Sequence, residues 1–221
     1  MTQRVPMIIA VRGYAVVQRD DDEKDTKPDE SGPKQRKTLP RPSKWIVAFD
    51  TETSNDHAQY VRIGSYQVRK GMALDRRGVF YDAANLKPDD LSLLQAHVTA
   101  RGLELITKED FERYVLYRYG YERGGLILGF NLPFDLSRLA TATPTSKSKE
   151  MRGGFSLDLV PEKWRPNILV RNLNSRAAFM RFAVHRGPVD ARSMRKKFKT
   201  QAKTGYFQDV KTLGAALLGR S

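Results

Sequence analysis

The chain has 221 residues, 40% of them hydrophobic with ten Phe, enough for one sizeable folded domain and too apolar for a disordered one. It has no cysteine, which excludes disulfides, cysteine-ligated zinc and thiol nucleophiles, and suits a reducing cytoplasm. Lys and Arg number 39 against 25 Asp and Glu, a formal charge of +14 that favours a polyanionic partner, and no apolar run is long enough to span a bilayer.

Residues 1–19 form an N-terminal extension whose apolar run, "VPMIIAVRGYAVV", is broken by Arg12 and Gly13 and could add a single strand. Residues 20–44 are charged, proline-bearing and poor in large apolar groups, the composition of a flexible tether. The folded domain is expected over 45–221. "WIVAFDTE" reads as its first strand, "YVRIGSYQVRKG" alternates apolar and polar residues as a second, and "GVFYD" is a short third. "KPDDLSLLQAHVTARG" and "TKEDFERYVLYRYGYERG" read as helices, the latter opened by Thr107 with Asp110 three residues on, a capping-box arrangement. "GLILGF" is an all-apolar strand buried on both faces, and "LPFDLSRLA" turns directly into a helix, with Pro133 in the first turn and Leu132, Leu136 and Leu139 toward the sheet. "PNILVRNLNSRAAFMRFAV" reads as a hairpin with Phe179 and Arg181 on one side and Met180 and Phe182 on the other. "YFQDV" is a last strand and "KTLGAALLG" a last helix. This order predicts a mixed α/β sheet flanked by helices.

Two stretches carry chemistry. Residues two apart in a strand share a face, so Asp50 and Glu52 project together and Thr51 turns away. Like charges at that spacing repel unless a cation sits between them or one takes up a proton. Oxygen donors without His or Cys suit Mg²⁺ or Mn²⁺. The plain alternative is that Asp50 caps a turn and Glu52 is surface. Further on, Asn131 stands just past the buried strand and Asp135 four residues later, on one face if the helix has begun by Asn131. Here the plain alternative is an acid favoured by the positive helix start.

"FDTET" followed by "GFNLPFD" resembles the first two motifs of the DEDD 3′→5′ exonucleases of the ribonuclease H-like superfamily, and the N-x-x-F-D form is similar to the exonuclease domains of family B DNA polymerases. The resemblance runs from about Trp45 to the end of the chain, and "YFQDVKTLGAALL" is similar to the strand and helix that follow the second motif. It implies a ribonuclease H-like fold and two-metal cleavage of phosphodiesters. Asp50 would bridge both metals, Glu52 would hold the one carrying the nucleophilic water, and Asp135 the second. Asn131 would orient a ligand or the terminal nucleotide, and Phe134 would pack beneath the site.

The basic stretch from Arg171 to Lys203 holds ten Lys or Arg against one acid, Asp190. Arg181, Lys196 and Lys197 within it are expected to grip the phosphates of single-stranded nucleic acid, DNA before RNA.

The pattern departs from the family at the fourth carboxylate. No Tyr is followed by Asp at a four-residue spacing, and the one His that qualifies, in "HRGPVD" (His185 to Asp190), is followed by helix-breaking Gly187 and Pro188. Asp209 matches a strand acid rather than the final ligand and is expected to cap the last helix. The reading is therefore of a fold incomplete at its C-terminus, weak or inactive as a nuclease, with an apolar last helix that invites self-association or a partner chain. The runner-up is a catalytically inactive nucleic-acid-binding module of the same fold. "DTETS" also resembles, more faintly, the strand end of the haloacid-dehalogenase phosphatases, without their second Asp.

Overall fold

The computed structural model describes residues 42–162, 164–174, 177–183 and 205–218. The expected N-terminal strand and most of the tether lie outside the described residues, as do Asp190, Lys196 and Lys197.

Strands β1 (Trp45–Thr53), β2 (Val61–Lys70) and β3 (Ala73–Tyr81) form an antiparallel meander. Helix α1 (Pro88–Ala100) opens on a proline and two acids and leads to β4 (Glu104–Thr107), a short edge strand that pairs parallel to β3. Apolar patterning gave no hint of β4. Its place is held by Glu104, whose carboxylate takes the Arg76 guanidinium and the Tyr66 hydroxyl (2.9 Å). Helix α2 begins as one α-turn at Lys108–Asp110, where Thr107 accepts the Asp110 N–H at 3.2 Å, and continues as a π-helix over Phe111–Glu122. The cap was expected. The wide helix was not, because π-turns carry no periodic signature of their own.

Strand β5 (Leu126–Gly129) lies parallel to β1, and α3 (Leu132–Leu139) follows it after one tight turn. Strands β6 (Phe155–Leu157), β7 (Ile168–Asn174) and β8 (Ala177–Phe182) make a separate three-stranded antiparallel sheet. Finally β9 (Tyr206–Asp209) joins the main sheet beside β5, in parallel, and passes straight into α4 (Val210–Leu218). The main sheet is therefore six-stranded and mixed, ordered β4-β3-β2-β1-β5-β9. Among the described residues no helix is long and apolar enough to cross a membrane.

The pleat divides the main sheet into a covered and an open face. Val47 and Phe49 of β1 pair with Val68 and Tyr66 of β2, all buried. Phe111 of α2 stacks on Phe80 at 4.1 Å and tilts against Phe49 and Tyr66. Gly64 is required here, since a Cβ would stand 2.2 Å from the Phe80 ring. Leu132, Leu136 and Leu139 of α3 are fully buried in the same core, as their spacing predicts. The second sheet joins it through Ile168, Val170 and Phe182, and the Tyr117 hydroxyl of α2 donates to the Pro166 carbonyl at 2.8 Å. The hairpin faces come out as expected: Phe182 is buried and Met180 packs on the core, while Phe179 is half exposed.

One carboxylate ties three of these elements together. Asp209, at the end of β9, accepts the Asn131 and Leu132 N–H groups on Oδ1 (2.8 and 3.1 Å). Its Oδ2 accepts the Thr212 N–H and hydroxyl (3.2 and 2.6 Å). It thus caps α4, as the sequence suggests, and also secures the start of α3. Replacing Asp209 with Ala would remove a shared acceptor from both helix starts, including that of the buried Leu132 N–H. Urea unfolding should show a loss of about 2–4 kcal/mol for Asp209→Ala.

Candidate carboxylate site

Strands β1, β5 and β9 run parallel, and their carboxyl ends meet at one edge of the sheet. Such an edge is where open α/β sheets place their chemistry. β1 pairs with β5 only as far as Ala48↔Leu128, so Asp50, Thr51 and Glu52 run past the end of their neighbour. The start of α3 comes in over that free edge.

Asp50 and Glu52 project together and are exposed, as the two-residue spacing requires. They share the open face with Ser65, which lies opposite Asp50. Thr51 points to the covered face and is buried, and its hydroxyl donates to Asp135 Oδ1 at 2.6 Å. The middle residue of the D-x-E triplet is thus the one that touches Asp135. Sequence reasoning set Thr51 aside as merely facing away. The signal for its role was its hydroxyl, at a position where a wholly apolar face would call for Val or Ile.

Asp135 is 3% exposed, and its Oδ2 has no hydrogen-bond partner. Burial pushes its pKa up to about 6; hydrogen bonding from Thr51 pulls it down, and the charges of Asp50 and Asp209 push it up again. The effect of Asp50 places it within electrostatic reach of Asp135, although the two belong to opposite faces of the strand.

Asn131 adopts a left-handed conformation (φ 70°, ψ 39°), which Asn tolerates better than most residues. Its carbonyl accepts the Phe134 N–H at 2.9 Å, while its side chain makes no cap to the helix. This turn is what seats Asp135 on Thr51. Phe134 is half-buried, with the Arg138 guanidinium 4.7 Å over its ring. Arg138 also donates to the Ala58 carbonyl at 3.3 Å, linking α3 to the β1–β2 loop. Phe130, immediately before Asn131, is 64% exposed; an exposed aromatic at a strand end is a surface that motif spacing does not reveal.

Arg181 is not gathered at this edge. It stands on β8 of the second sheet, bonded to Ser148 Oγ at 2.8 Å and paired with Glu150. Its charge is therefore paired with the loop that leads into β6.

The donors suit a hard divalent cation in kind. They are all oxygen, and the orphaned, buried Oδ2 of Asp135 would be relieved by positive charge. Among the described residues, however, no group of three His, Cys, Asp or Glu is close enough to hold a metal. With Thr51 bound to Asp135, the three carboxylates do not converge. A comparison with known family models finds no match for the chain, and a comparison with curated proteins finds none either.

A pH dependence follows from the raised pKa. Asp135 holds its proton more tightly folded than unfolded, so its contribution to stability is full below about pH 4 and is lost as pH rises through about 6. Asp135→Asn removes that loss. In EDTA at pH 7 the variant should be more stable than the parent, by on the order of 1–3 kcal/mol, and the difference should vanish near pH 4. Paired urea titrations at the two pH values measure it.

Proposed function

We propose that this chain carries a ribonuclease H-like domain of the DEDD exonuclease type, acting from the 3′ end on phosphodiesters of single-stranded nucleic acid, DNA before RNA. The observation that supports this most is Asp135: a buried carboxylate with one orphaned oxygen, within reach of the charge of Asp50, at the carboxyl ends of parallel strands. A carboxylate so placed is costly unless a cation or a proton joins it.

In this reading Asp50, Glu52 and Asp135 would hold a divalent cation, Mg²⁺ or Mn²⁺. When bound, the cation would supply Lewis acidity and lower the pKa of water. Thr51 holds one oxygen of Asp135 and leaves the other unpartnered. Asp209 keeps α3 from sliding away by bonding its first N–H groups. Phe130 offers an exposed ring on which a terminal base could stack. The net charge of +14 would attract the strand, with Lys196 and Lys197 in the basic stretch expected to meet its phosphates. The absence of cysteine suits a cytoplasmic protein.

A second reading is favoured by one specific observation. Thr51 already occupies Asp135, and the three carboxylates do not converge. That arrangement fits a nucleic-acid-binding module of the same fold without catalysis.

The two readings separate in one assay. The full chain is incubated with 5′-labelled single-stranded DNA and RNA in Mn²⁺, with EDTA and Asp50→Ala as controls. The exonuclease reading expects a ladder shortening from the 3′ end, lost in EDTA and reduced at least about a hundredfold by Asp50→Ala. Salt-sensitive binding without cleavage selects the binding module. Neither cleavage nor binding overturns both.

A further inference from the structure

Helix α2 ends beside the start of β1. A π-type bond runs from the Arg123 N–H to the Arg118 carbonyl (3.2 Å), and Gly124 then turns the chain in the left-handed region (φ 62°). Gly125 fits tightly behind this turn, since a Cβ there would stand 2.5 Å from the Tyr119 carbonyl oxygen and 2.9 Å from that of Trp45. The Ser43 N–H donates to the Gly124 carbonyl at 2.9 Å, and the Gly71 N–H, in the β2–β3 turn, donates to the Lys44 carbonyl at 2.7 Å. The entry to β1, the end of α2 and the β2–β3 turn therefore meet at one corner of the main sheet. This corner is at the far end of β1 from Asp50, about 17 Å away along the strand.

Cations border it. Lys70 is the cross-strand partner of Trp45, and its Nζ lies 5.4 Å from the centre of the indole. The Arg123 guanidinium lies 4.5 Å from the centre of the same ring and 4.6 Å from that of Tyr119, and the two ring centres are 4.8 Å apart. Arg118 is exposed one π-turn earlier on the same side of the helix, and Lys44 is exposed at the entry to β1. On an α-helix, residues five apart would diverge by about 140°; the wide helix brings Arg118 and Arg123 into line. A helix C-terminus favours cations, but the Arg123 side chain bonds none of the last carbonyls. Among the described residues, Lys44, Lys70, Arg118 and Arg123 make no ion pair. Asp75, the acid at this corner, accepts the Tyr119 hydroxyl at 3.2 Å. A guanidinium held by two rings, with its N–H donors unspent on protein, is preorganised for an anion that offers several oxygens.

We propose that this corner is a second nucleic-acid contact, which holds backbone phosphates of a strand at a place remote from the carboxylates. It rests on the nucleic-acid reading above and extends it. Arg123, fixed by Trp45 and Tyr119, takes two oxygens of one phosphate through its planar fork, and Arg118, Lys70 and Lys44 supply charge to the phosphates on either side. Trp45 packs against the core on the covered face, whereas Asp50 and Glu52 stand on the open one, so the two places are separate surfaces. Binding at the corner needs no divalent cation. It is tolerant of sequence, because its contacts are to the backbone.

The test measures binding of a labelled oligothymidylate to the full chain in EDTA, over a series of salt concentrations. Arg118→Gln with Arg123→Gln is compared with Lys147→Gln with Lys149→Gln, an equal loss of charge at exposed positions of the loop before β6. The corner variant should bind at least about tenfold more weakly in low salt, with a log–log salt slope smaller by about 1.4. The loop variant should change far less, and the Trp45 indole resonance of the parent should move on binding. Lys44→Gln with Lys70→Gln, both exposed side chains, should act in the same direction if urea midpoints show the arginine variant to be unstable. Equal weakening in the corner and loop variants reduces the effect to net charge and overturns the corner, while the nucleic-acid reading stands. Displacement of the oligonucleotide by polyglutamate at equal charge concentration overturns it in favour of an acidic protein partner. A parent that binds no oligonucleotide overturns the corner and the nucleic-acid reading together. Binding weakened selectively in the corner variants, without trimming of strand ends in Mn²⁺, keeps the corner and removes the exonuclease.

Discussion

The arrangement at the sheet edge depends on the Asp209 carboxylate. Both its oxygens are used, two bonds each, and the donors come from two different helices. A charge-assisted bond to backbone N–H is stronger than a neutral one, and here the donors are the unsatisfied first groups of helices. β9 and β5 also pair along their length, up to Gly129↔Asp209. Strand pairing thus sets the height of the carboxylate, and the carboxylate sets where α3 begins. Asn131 can then take its left-handed turn with its own N–H already held. Without that turn Asp135 would not be carried onto Thr51.

At Asp135 two effects oppose each other, and their sizes decide its state. The Thr51 hydrogen bonds favour the carboxylate; burial, with the nearby charges of Asp50 and Asp209, favours the acid. Burial wins, and a group that ordinarily titrates near 4 is held near 6. Stability alone would be better served by an amide or an apolar side chain. A chain that keeps an acid there carries a strained charge at the one edge where three parallel strands end, which is a reason to look for function at this edge. Glu112 makes the opposite case. It too is buried, with Oε1 unpartnered and its pKa pushed up to about 8 by burial, but it lies within the π-helix and not at a strand end.

The charge distribution also looks different in three dimensions. Counting residues suggests that every Lys and Arg of the basic stretch is available to phosphate. Arg181 of that stretch is instead paired with Glu150, and elsewhere in the chain Arg62 is paired with Asp90 and Arg113 with Glu162. Such pairs contribute little to stability where they are exposed. Their larger effect is to withdraw cations from the field that an approaching strand would meet. On the open face Asp50 and Glu52 stand together, and Arg77, opposite Gln67, is exposed on the same face.

Much of the fold was legible in the sequence. The alternation of β2, the apolar run of β5, the Thr107 cap, the buried stripe of α3 and the outward faces of β8 follow from period and side-chain chemistry that act within a few residues. The D-x-E spacing likewise determined that Asp50 and Glu52 share a face, because the pleat allows nothing else. What tertiary structure decided was everything that depends on register between distant strands. β4 exists because Glu104 finds Arg76 and Tyr66; Arg62 bulges because Thr53 pairs one residue out of step; Asp209 reaches back to Asn131 across 78 positions. The same holds for Asp135. Its sequence marks it as an acid in a first helical turn, but its burial, its bond to Thr51 and its raised pKa come from the place where β1 outruns β5, and strand overrun is a property of the assembled sheet rather than of any single segment.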